Sequence, residues 1–217
     1  MAQQPMGLLV AGFDSSPVHE DEFNDWYDTE HVPERRRVPG FVNCERWIGA
    51  ENSRIAIATY DLQSLDVLKS EPYRAIAGEN LSPWSKRVTS KATRLCRFEA
   101  KQLPPGSQSA PSGAGGLMMY AMNVTPEAEA EFNAWYDEEH IPRLSAVAGC
   151  LLARRFSNVS AVSAGRQRYL AIYHLATPDV CSSEKWKEAA NTDWTAKMRP
   201  HFRDGLRVVL RRYERMK

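Results

Sequence analysis

The sequence predicts an α+β fold in which two tandem β-α-β-β-α-β repeats close into one barrel. The first observation is a long motif that occurs twice: FNDWYDTEHVPERRRVPGF at residues 23–41 aligns without gaps with FNAWYDEEHIPRLSAVAGC at residues 132–150. Recurrence of this kind is typical of repeated structural units. The second observation is the stretch LPPGSQSAPSGAGG at residues 103–116, which has the composition of a flexible linker. We therefore predict one repeat at residues 1–102 and another at 117–217.

Each repeat is predicted to begin with a strand followed by a helix. The apolar runs at residues 7–13 and 117–124 are short and flanked by turn residues, which is typical of strands. In the first repeat a helix is expected to begin near Ser16-Pro17 and to include residues 20–31, and in the second repeat the equivalent helix is expected to begin at Thr125-Pro126. Pro33 and Pro142 are expected to end these helices, because proline disfavours the helical conformation of the residue before it.

The rest of each repeat predicts two strands, a polar helical stretch that carries tryptophan, and a final strand. The ranges are 41–48, 54–62, 65–91 and 93–101 in the first repeat, and 150–156, 168–175, 182–202 and 206–215 in the second. This order is that of a ferredoxin-like unit, an antiparallel sheet with helices on one face. Two such units can bury their bare sheet faces against each other, which predicts an intramolecular pseudo-dimeric α+β barrel. Two units that pair only with other chains are the alternative.

The composition argues against several classes of protein. The 28 basic and 27 acidic residues give a net charge of +1, so no overall field would attract nucleic acid or an anionic membrane. No stretch approaches the roughly 20 apolar residues of a membrane span, and residues 1–5 lack the features of a signal peptide, so we expect a cytoplasmic protein. The cysteines are scattered, which predicts reduced thiols and no zinc site. They are Cys44, Cys96, Cys150 and Cys181.

The repeated motif resembles the dimeric α+β barrel superfamily. Its residues 26–33 (WYDTEHVP) and 38–41 (VPGF) are similar to the WYDxEHxP…VPGF signature of EthD-like and related small families. The resemblance covers residues 7–99 and 116–214, although Ala148 and Cys150 replace Pro39 and Phe41 in the second copy. It implies a pocket between helix and sheet in each half. The superfamily contains cofactor-free oxygenases, isomerases, polyketide cyclases, haem proteins and members without known activity, so the resemblance does not decide the reaction.

The motif supplies a candidate general base in each half. Phe23, Tyr27 and His31 are four residues apart and share one helix face, whose aromatic side chains predict that it points inward. The helix C-terminus and nearby carboxylates would raise the pKa of the imidazole above its ordinary value near 6.5. Asp28, three residues before His31, could orient one ring nitrogen. The counterparts in the second half are Phe132, Tyr136, His140 and Asp137.

Other interpretations of these residues remain open. Each histidine could cap the helix end, or it could bind a metal or haem. Glu30 and Glu139 are expected to face solvent or to form salt bridges. The Arg35-Arg36-Arg37 run is interpreted as a solvated loop, and the alternative is a clamp for a carboxylate or phosphate at the pocket mouth. Further residues could contact a ligand, with core packing as the alternative for each. They are Tyr27, Tyr136, Trp26, Trp135, Tyr60, Tyr173, Trp84 and Trp194.

These features predict a cofactor-independent enzyme that uses histidine-based proton transfer on a small apolar carbonyl or aromatic compound. It would be an isomerase, lyase or cyclase with His31 and His140 as bases. One alternative is an oxygenase, either cofactor-free or haem-dependent. Another is a non-catalytic protein that binds a hydrophobic ligand or serves in stress. We expect no cofactor, no metal, a hydrophobic or aromatic small-molecule ligand, and no nucleic-acid or membrane partner. Formation of a homo-oligomer is left open.

Overall fold

The computed structural model describes residues 5–104, 106–160 and 166–215. Strands were predicted at eight places, and the structure has strands at all of them, with bounds that agree to within a few residues. They are β1 (Gly7–Asp14), β2 (Phe41–Gly49), β3 (Ile55–Leu62), β4 (Thr93–Gln102), β5 (Gly116–Val124), β6 (Cys150–Asn158), β7 (Tyr169–Leu175) and β8 (Phe202–Arg212).

The fold class predicted from the sequence is wrong. The strands belong to a closed, eight-stranded antiparallel β-barrel with short helices, rather than to two tandem ferredoxin-like repeats that form a pseudo-dimeric α+β barrel. Alternation of apolar and polar residues identifies a strand because it reflects which side chains face the core. It does not specify which strand edges become hydrogen-bonded to each other. That long-range pairing decides whether two sheets pack face to face or one sheet closes on itself, so the pattern could not distinguish these two barrels.

The chain divides into two compact units, residues 1–109 with 159–165 and residues 110–158 with 166–217. In the first unit, β1 lies between β3 and β4, and β3 also pairs with β2, all in antiparallel register. Leu9 on β1 is opposite both Tyr60 on β3 and Glu99 on β4. The buried core includes Trp26 and Phe98, whose side chains are fully excluded from solvent.

In the second unit, β5 lies between β7 and β8, and β7 also pairs with β6, again in antiparallel register. Met118 on β5 is opposite Tyr173 on β7 and Val209 on β8. Phe132 and Trp135 are among the buried residues of this unit.

Each unit contains a helix that passes through a π-helical turn. In the first unit the pieces are α1 (Glu20–Asp25), the π turn (Trp26–His31) and α2 (Val32–Arg36), and the remaining helices are α3 (Glu71–Arg74) and α4 (Pro83–Lys91). In the second unit they are α5 (Glu129–Trp135), the π turn (Tyr136–His140), α6 (Ile141–Ser145), α7 (Glu184–Ala190) and α8 (Asp193–Met198). Short 3₁₀ turns lie at Leu65–Lys69, Gly78–Asn80, Pro126–Ala128, Pro178–Ser182 and Arg199–His201.

Neither Pro33 nor Pro142 ends its helix, contrary to the prediction. Each lies in the first turn of the helix that follows the π turn. Proline is tolerated at this position because the backbone N–H that it lacks is not required for the hydrogen bonds of the helix. The backbone N–H of Val32 donates to the carbonyl of Tyr27, five residues earlier, and the same bond joins Ile141 to Tyr136. The π turn therefore carries the chain past the proline without breaking the helix.

The second helical stretch of each unit is broken into short pieces rather than continuous. New helices begin where a serine or threonine accepts a hydrogen bond from the backbone N–H three residues later. These caps are Ser70, Ser82, Ser183 and Thr192. None of the helices in the described ranges is both long and apolar enough to cross a membrane.

Candidate functional site

The π turn packs an imidazole against an indole in each unit, with the two ring planes tilted relative to each other. The ring centroids of Trp26 and His31, five residues apart, are separated by 4.4 Å, and the edge of Tyr27 approaches His31 at 5.2 Å. In the second unit the distance between Trp135 and His140 is 4.2 Å. The predicted cluster of Phe, Tyr and His does form, but the closest ring to each histidine is the tryptophan. π-helical turns inside α-helices occur frequently at functional sites.

Both imidazoles are in surroundings that disfavour the positive charge. Burial lowers the pKa of His31 well below its ordinary value of 6.5, and the charges of Arg35, Arg94 and Arg46 lower it further. Burial likewise lowers the pKa of His140 to about 4. The predicted upward shift is therefore wrong. The π turn continues into another helix, so the histidine is not at a helix C-terminus, and both imidazoles are neutral at pH 7.

The Nδ1 atoms of the two histidines have no hydrogen-bond partner among the described residues. Both atoms are buried. Asp28, expected to orient His31, accepts a hydrogen bond of 2.6 Å from Arg46, and Asp137 is bonded to Arg155 at 2.5 Å. A buried polar atom without a hydrogen-bond partner costs free energy. A ligand that forms a hydrogen bond with this nitrogen would remove that cost.

Arg46 and Arg155 hold the tyrosine next to each histidine. The guanidinium of Arg46 lies 4.4 Å from the ring centroid of Tyr27 and donates to Asn24 at 2.8 Å. Arg155 lies at the same distance over Tyr136. Each arginine therefore ties the side chains of its helix to the adjacent strand through a cation–π contact and charged hydrogen bonds. The sequence analysis did not identify either residue.

A chain of hydrogen bonds fixes the indole beneath each imidazole. Trp26 Nε1 donates to Ser85 Oγ at 2.8 Å, and Ser85 donates to Glu30 at 3.0 Å. In the second unit Trp135 Nε1 donates to Thr195 at 3.2 Å, and Thr192 donates to Glu139 at 2.5 Å. The glutamates were expected to face solvent or to form salt bridges, and their hydroxyl partners show otherwise. Hydroxyl residues at corresponding positions of both halves were the signal that could have found this network.

A cavity of about 610 Å³ in the first unit borders His31. Tyr60 also lines it, and the buried hydroxyl of Tyr60 has no partner among the described residues. Arg35 lines it too, although it was expected in a solvated loop; it is buried and donates to Glu34 and to the carbonyl of Ile76. Neither Trp84 nor Asp28 is on the cavity wall. The wall thus combines a neutral imidazole, a phenol and cationic groups.

A cavity of about 530 Å³ in the second unit borders His140, Trp135 and Tyr136. Tyr173 is not on its wall but contacts Trp186, which is, with ring centroids 5.3 Å apart. Trp194 is also absent from the wall, and its Nε1 donates to Glu131 at 3.1 Å. Trp186 was missed by the sequence analysis. The serine cap before it, which recurs before Tyr73 in the first unit, was the available signal.

No family model and no curated protein matches the chain. Solved structures do match it over nearly its whole length. A "Putative monooxygenase" from Fusobacterium nucleatum subsp. nucleatum has a TM-score of 0.62 at 12% identity, and the match covers 99% of this chain and 94% of that chain. An "anthrone oxidase-like protein" has a TM-score of 0.62 at 10% identity, covering 97% and 95%. A "Putative Chlorite dismutase" has a TM-score of 0.60 at 14% identity, covering 97% and 96%.

The chain shares the fold of these structures. At identities of 10–14%, the likeness shows the fold alone.

The prediction that the protein needs no cofactor has to be corrected. A structure called a putative chlorite dismutase shares the fold at 14% identity, so the fold gives no basis for expecting that this protein needs no cofactor. His31 and His140 could each ligate a haem iron, because a neutral imidazole offers a nitrogen lone pair. Within the described residues, no three His, Cys, Asp or Glu side chains form a metal-binding cluster.

Proposed function

We propose that the protein is an enzyme that removes a proton from a small aromatic or carbonyl compound, with His31 in the first unit and His140 in the second as proton acceptors. The observation that carries this proposal is a neutral imidazole with an unpaired, buried Nδ1 at the edge of a cavity large enough for a small molecule. An acceptor of protons must be uncharged at the working pH, and both imidazoles are.

The cavity wall of the first unit supports the same reaction. When a C–H or O–H bond of the substrate breaks, the proton moves to the imidazole and the electron pair stays on the substrate as an enolate or phenolate. Arg94, whose guanidinium lies over Phe13 and forms no ion pair with a described residue, lines the cavity and would stabilise that negative charge. The hydroxyl of Tyr60 can donate a hydrogen bond to it. Burial raises the pKa of Tyr60 well above 10, so this hydroxyl keeps its proton.

The low pKa of His31 has a consequence for the reaction type. The imidazolium formed after proton transfer is disfavoured by burial and by the neighbouring arginines, so it returns its proton readily. Transfer of one proton from one atom of the substrate to another fits this behaviour, as in an isomerisation or cyclisation.

Oxygenation is the second candidate function. The similar structures called a monooxygenase and an anthrone oxidase-like protein favour it. Deprotonation would again be the first step, because an enolate or phenolate is the electron-rich species that reacts with oxygen. The role of the histidines would be the same in both reactions.

Deuterium exchange tests the shared first step. Small aromatic ketones and anthrone are incubated with the protein in D₂O, and loss of the signals of their acidic hydrogens is followed by proton NMR, with oxygen uptake measured in parallel. We expect exchange that falls about a hundredfold or more in the His31→Gln/His140→Gln double variant. His19→Gln is the matched control, because His19 is exposed and lies away from both cavities.

The outcomes separate the candidates. Exchange without oxygen uptake supports the proton-transfer enzyme, whereas exchange coupled to uptake supports the oxygenase. An unchanged rate in the double variant would remove the histidines from the reaction. A compound that binds but neither exchanges nor consumes oxygen would identify a non-catalytic binding protein.

A further inference from the structure

The cavity of the second unit has positive charges on its wall and no acidic side chain among the described residues that line it. The cations are Lys187, Arg199 and Arg207. The cavity of the first unit differs, because Glu79 and Glu99 lie among its arginines. The two cavities therefore differ in charge although both border a neutral histidine.

The difference arises at one pair of positions on the last strand of each unit. Arg97 on β4 is opposite Ala11 of β1, and Arg207 on β8 is opposite Tyr120 of β5, the residue that corresponds to Ala11. Two residues further along the strand, on the same face, the first unit has Glu99 and the second has Val209. Arg97 forms a salt bridge of 2.5 Å with Glu99. Valine cannot accept such a bond.

Arg207 is left without a counter-ion as a result. Its guanidinium has no hydrogen bond or ion pair to any residue that the structure describes. The other two cations of the wall are engaged, Lys187 with Glu184 at 2.7 Å and Arg199 with the side chain of Asn191. Arg207 is thus the cation of the wall whose donors are all available to a carboxylate.

The remaining wall is largely aromatic. Trp135, Trp186, Tyr120 and Phe202 line the cavity. Flat apolar rings of this kind bind the face or edge of an aromatic ligand. We propose that the cavity of the second unit binds an aromatic monocarboxylate, with the carboxylate on Arg207 and the ring against Trp135 and Trp186.

This inference does not depend on the proposed function, since binding does not require His140 to transfer a proton. The test is isothermal titration calorimetry of the full chain with 2-naphthoate and with the neutral isostere 2-naphthamide. We expect the carboxylate to bind at least about tenfold more tightly than the amide, and we expect this preference to disappear in Arg207→Gln. Arg211→Gln is the matched control, because Arg211 is an exposed residue of the same strand that does not line the cavity.

A second variant creates the ion pair found in the first unit. Val209→Glu keeps Arg207 but places a carboxylate where Glu99 lies beside Arg97, so we expect it to lose the preference for the carboxylate as well. Retention of the full preference in a folded Arg207→Gln protein would overturn the proposal. Loss of the preference for the carboxylate in Arg97→Gln, rather than in Arg207→Gln, would also overturn the proposal, since it would place the anion in the first unit. A preserved preference in His140→Gln supports binding that is independent of proton transfer.

Discussion

Acidification should destabilise the folded protein through His140. Its pKa is about 4 in the folded chain, against an ordinary value of 6.5 for the unfolded chain. Between these two values the unfolded chain holds a proton that the folded chain does not, so stability is lost as the pH falls through this interval. The full difference corresponds to at most about 3 kcal/mol, of which roughly 2 kcal/mol falls between pH 7 and pH 5.

Urea unfolding followed by tryptophan fluorescence at pH 7 and pH 5 measures this loss. Carboxylates also titrate at low pH, and they do so in every variant, so the informative quantity is a difference between proteins. The free energy of unfolding of the wild-type protein should fall by roughly 2 kcal/mol more than that of His140→Gln over this interval. With an ordinary urea dependence, this amounts to about 1 M in the transition midpoint.

The exposed His19 provides the control, and His19→Gln should follow the wild-type protein at both pH values. If the wild-type protein and His140→Gln lost equal stability, the imidazole would be accepting its proton within the fold. The buried, neutral state on which the proposed chemistry depends would then be absent.

Two further predictions concern residues that shape the sites. Gly149→Ala should destabilise the protein by roughly 1–3 kcal/mol in urea unfolding, because Gly149 has a φ of +89° and the new Cβ would lie 2.7 Å from a methyl group of Val180. Gly78→Ala, with a φ of +60° and open space around it, should cost only about 1–2 kcal/mol, and equal losses would remove the steric argument. Ser85→Ala should cost about 1–3 kcal/mol and shift the tryptophan fluorescence, because Trp26 loses its acceptor and Glu30 a donor. Ser90→Ala on the same helix, where the hydroxyl bonds only an exposed carbonyl, should change neither, and an unaltered Ser85→Ala protein would show that this hydrogen-bond chain is not stabilising.

Local patterns predicted the strands well because short apolar or alternating runs bounded by turn residues are typical of strands. The run that forms β3 is buried along almost its whole length, and its bounds were predicted to within one residue. The helices were predicted less well. Residues 65–91 were predicted as one polar helical stretch, but Ser70 and Ser82 each start a new helix by capping it. The way in which the barrel closes could not be predicted, because a single closed sheet depends on pairing between strands far apart in the chain.

The spacing of the motif identified the candidate histidines, but it did not predict the direction of their pKa shifts. A four-residue spacing predicts the face of an α-helix, whereas the π turn brings together residues five apart and so places His31 on Trp26. The expected raised pKa assumed a helix end and a free Asp28. The helix continues through Pro33, and Asp28 pairs with Arg46, which comes from a strand. A contact between helix and strand of this kind cannot be obtained from the helix sequence alone.

The contacts of corresponding residues suggest how the two cavities came to differ. Trp26 and Trp135 are fully buried, and each is held by a hydroxyl group and packed against its histidine, so a change there would disturb several contacts at once. Arg207 is exposed on the cavity wall and Val209 is partly exposed two residues further along the same strand, and substitution at such positions costs little stability. Burial therefore restrains the imidazole and its indole, whereas the wall charge is free to vary. On this argument we expect the two cavities to share a proton acceptor and to accept ligands of different charge.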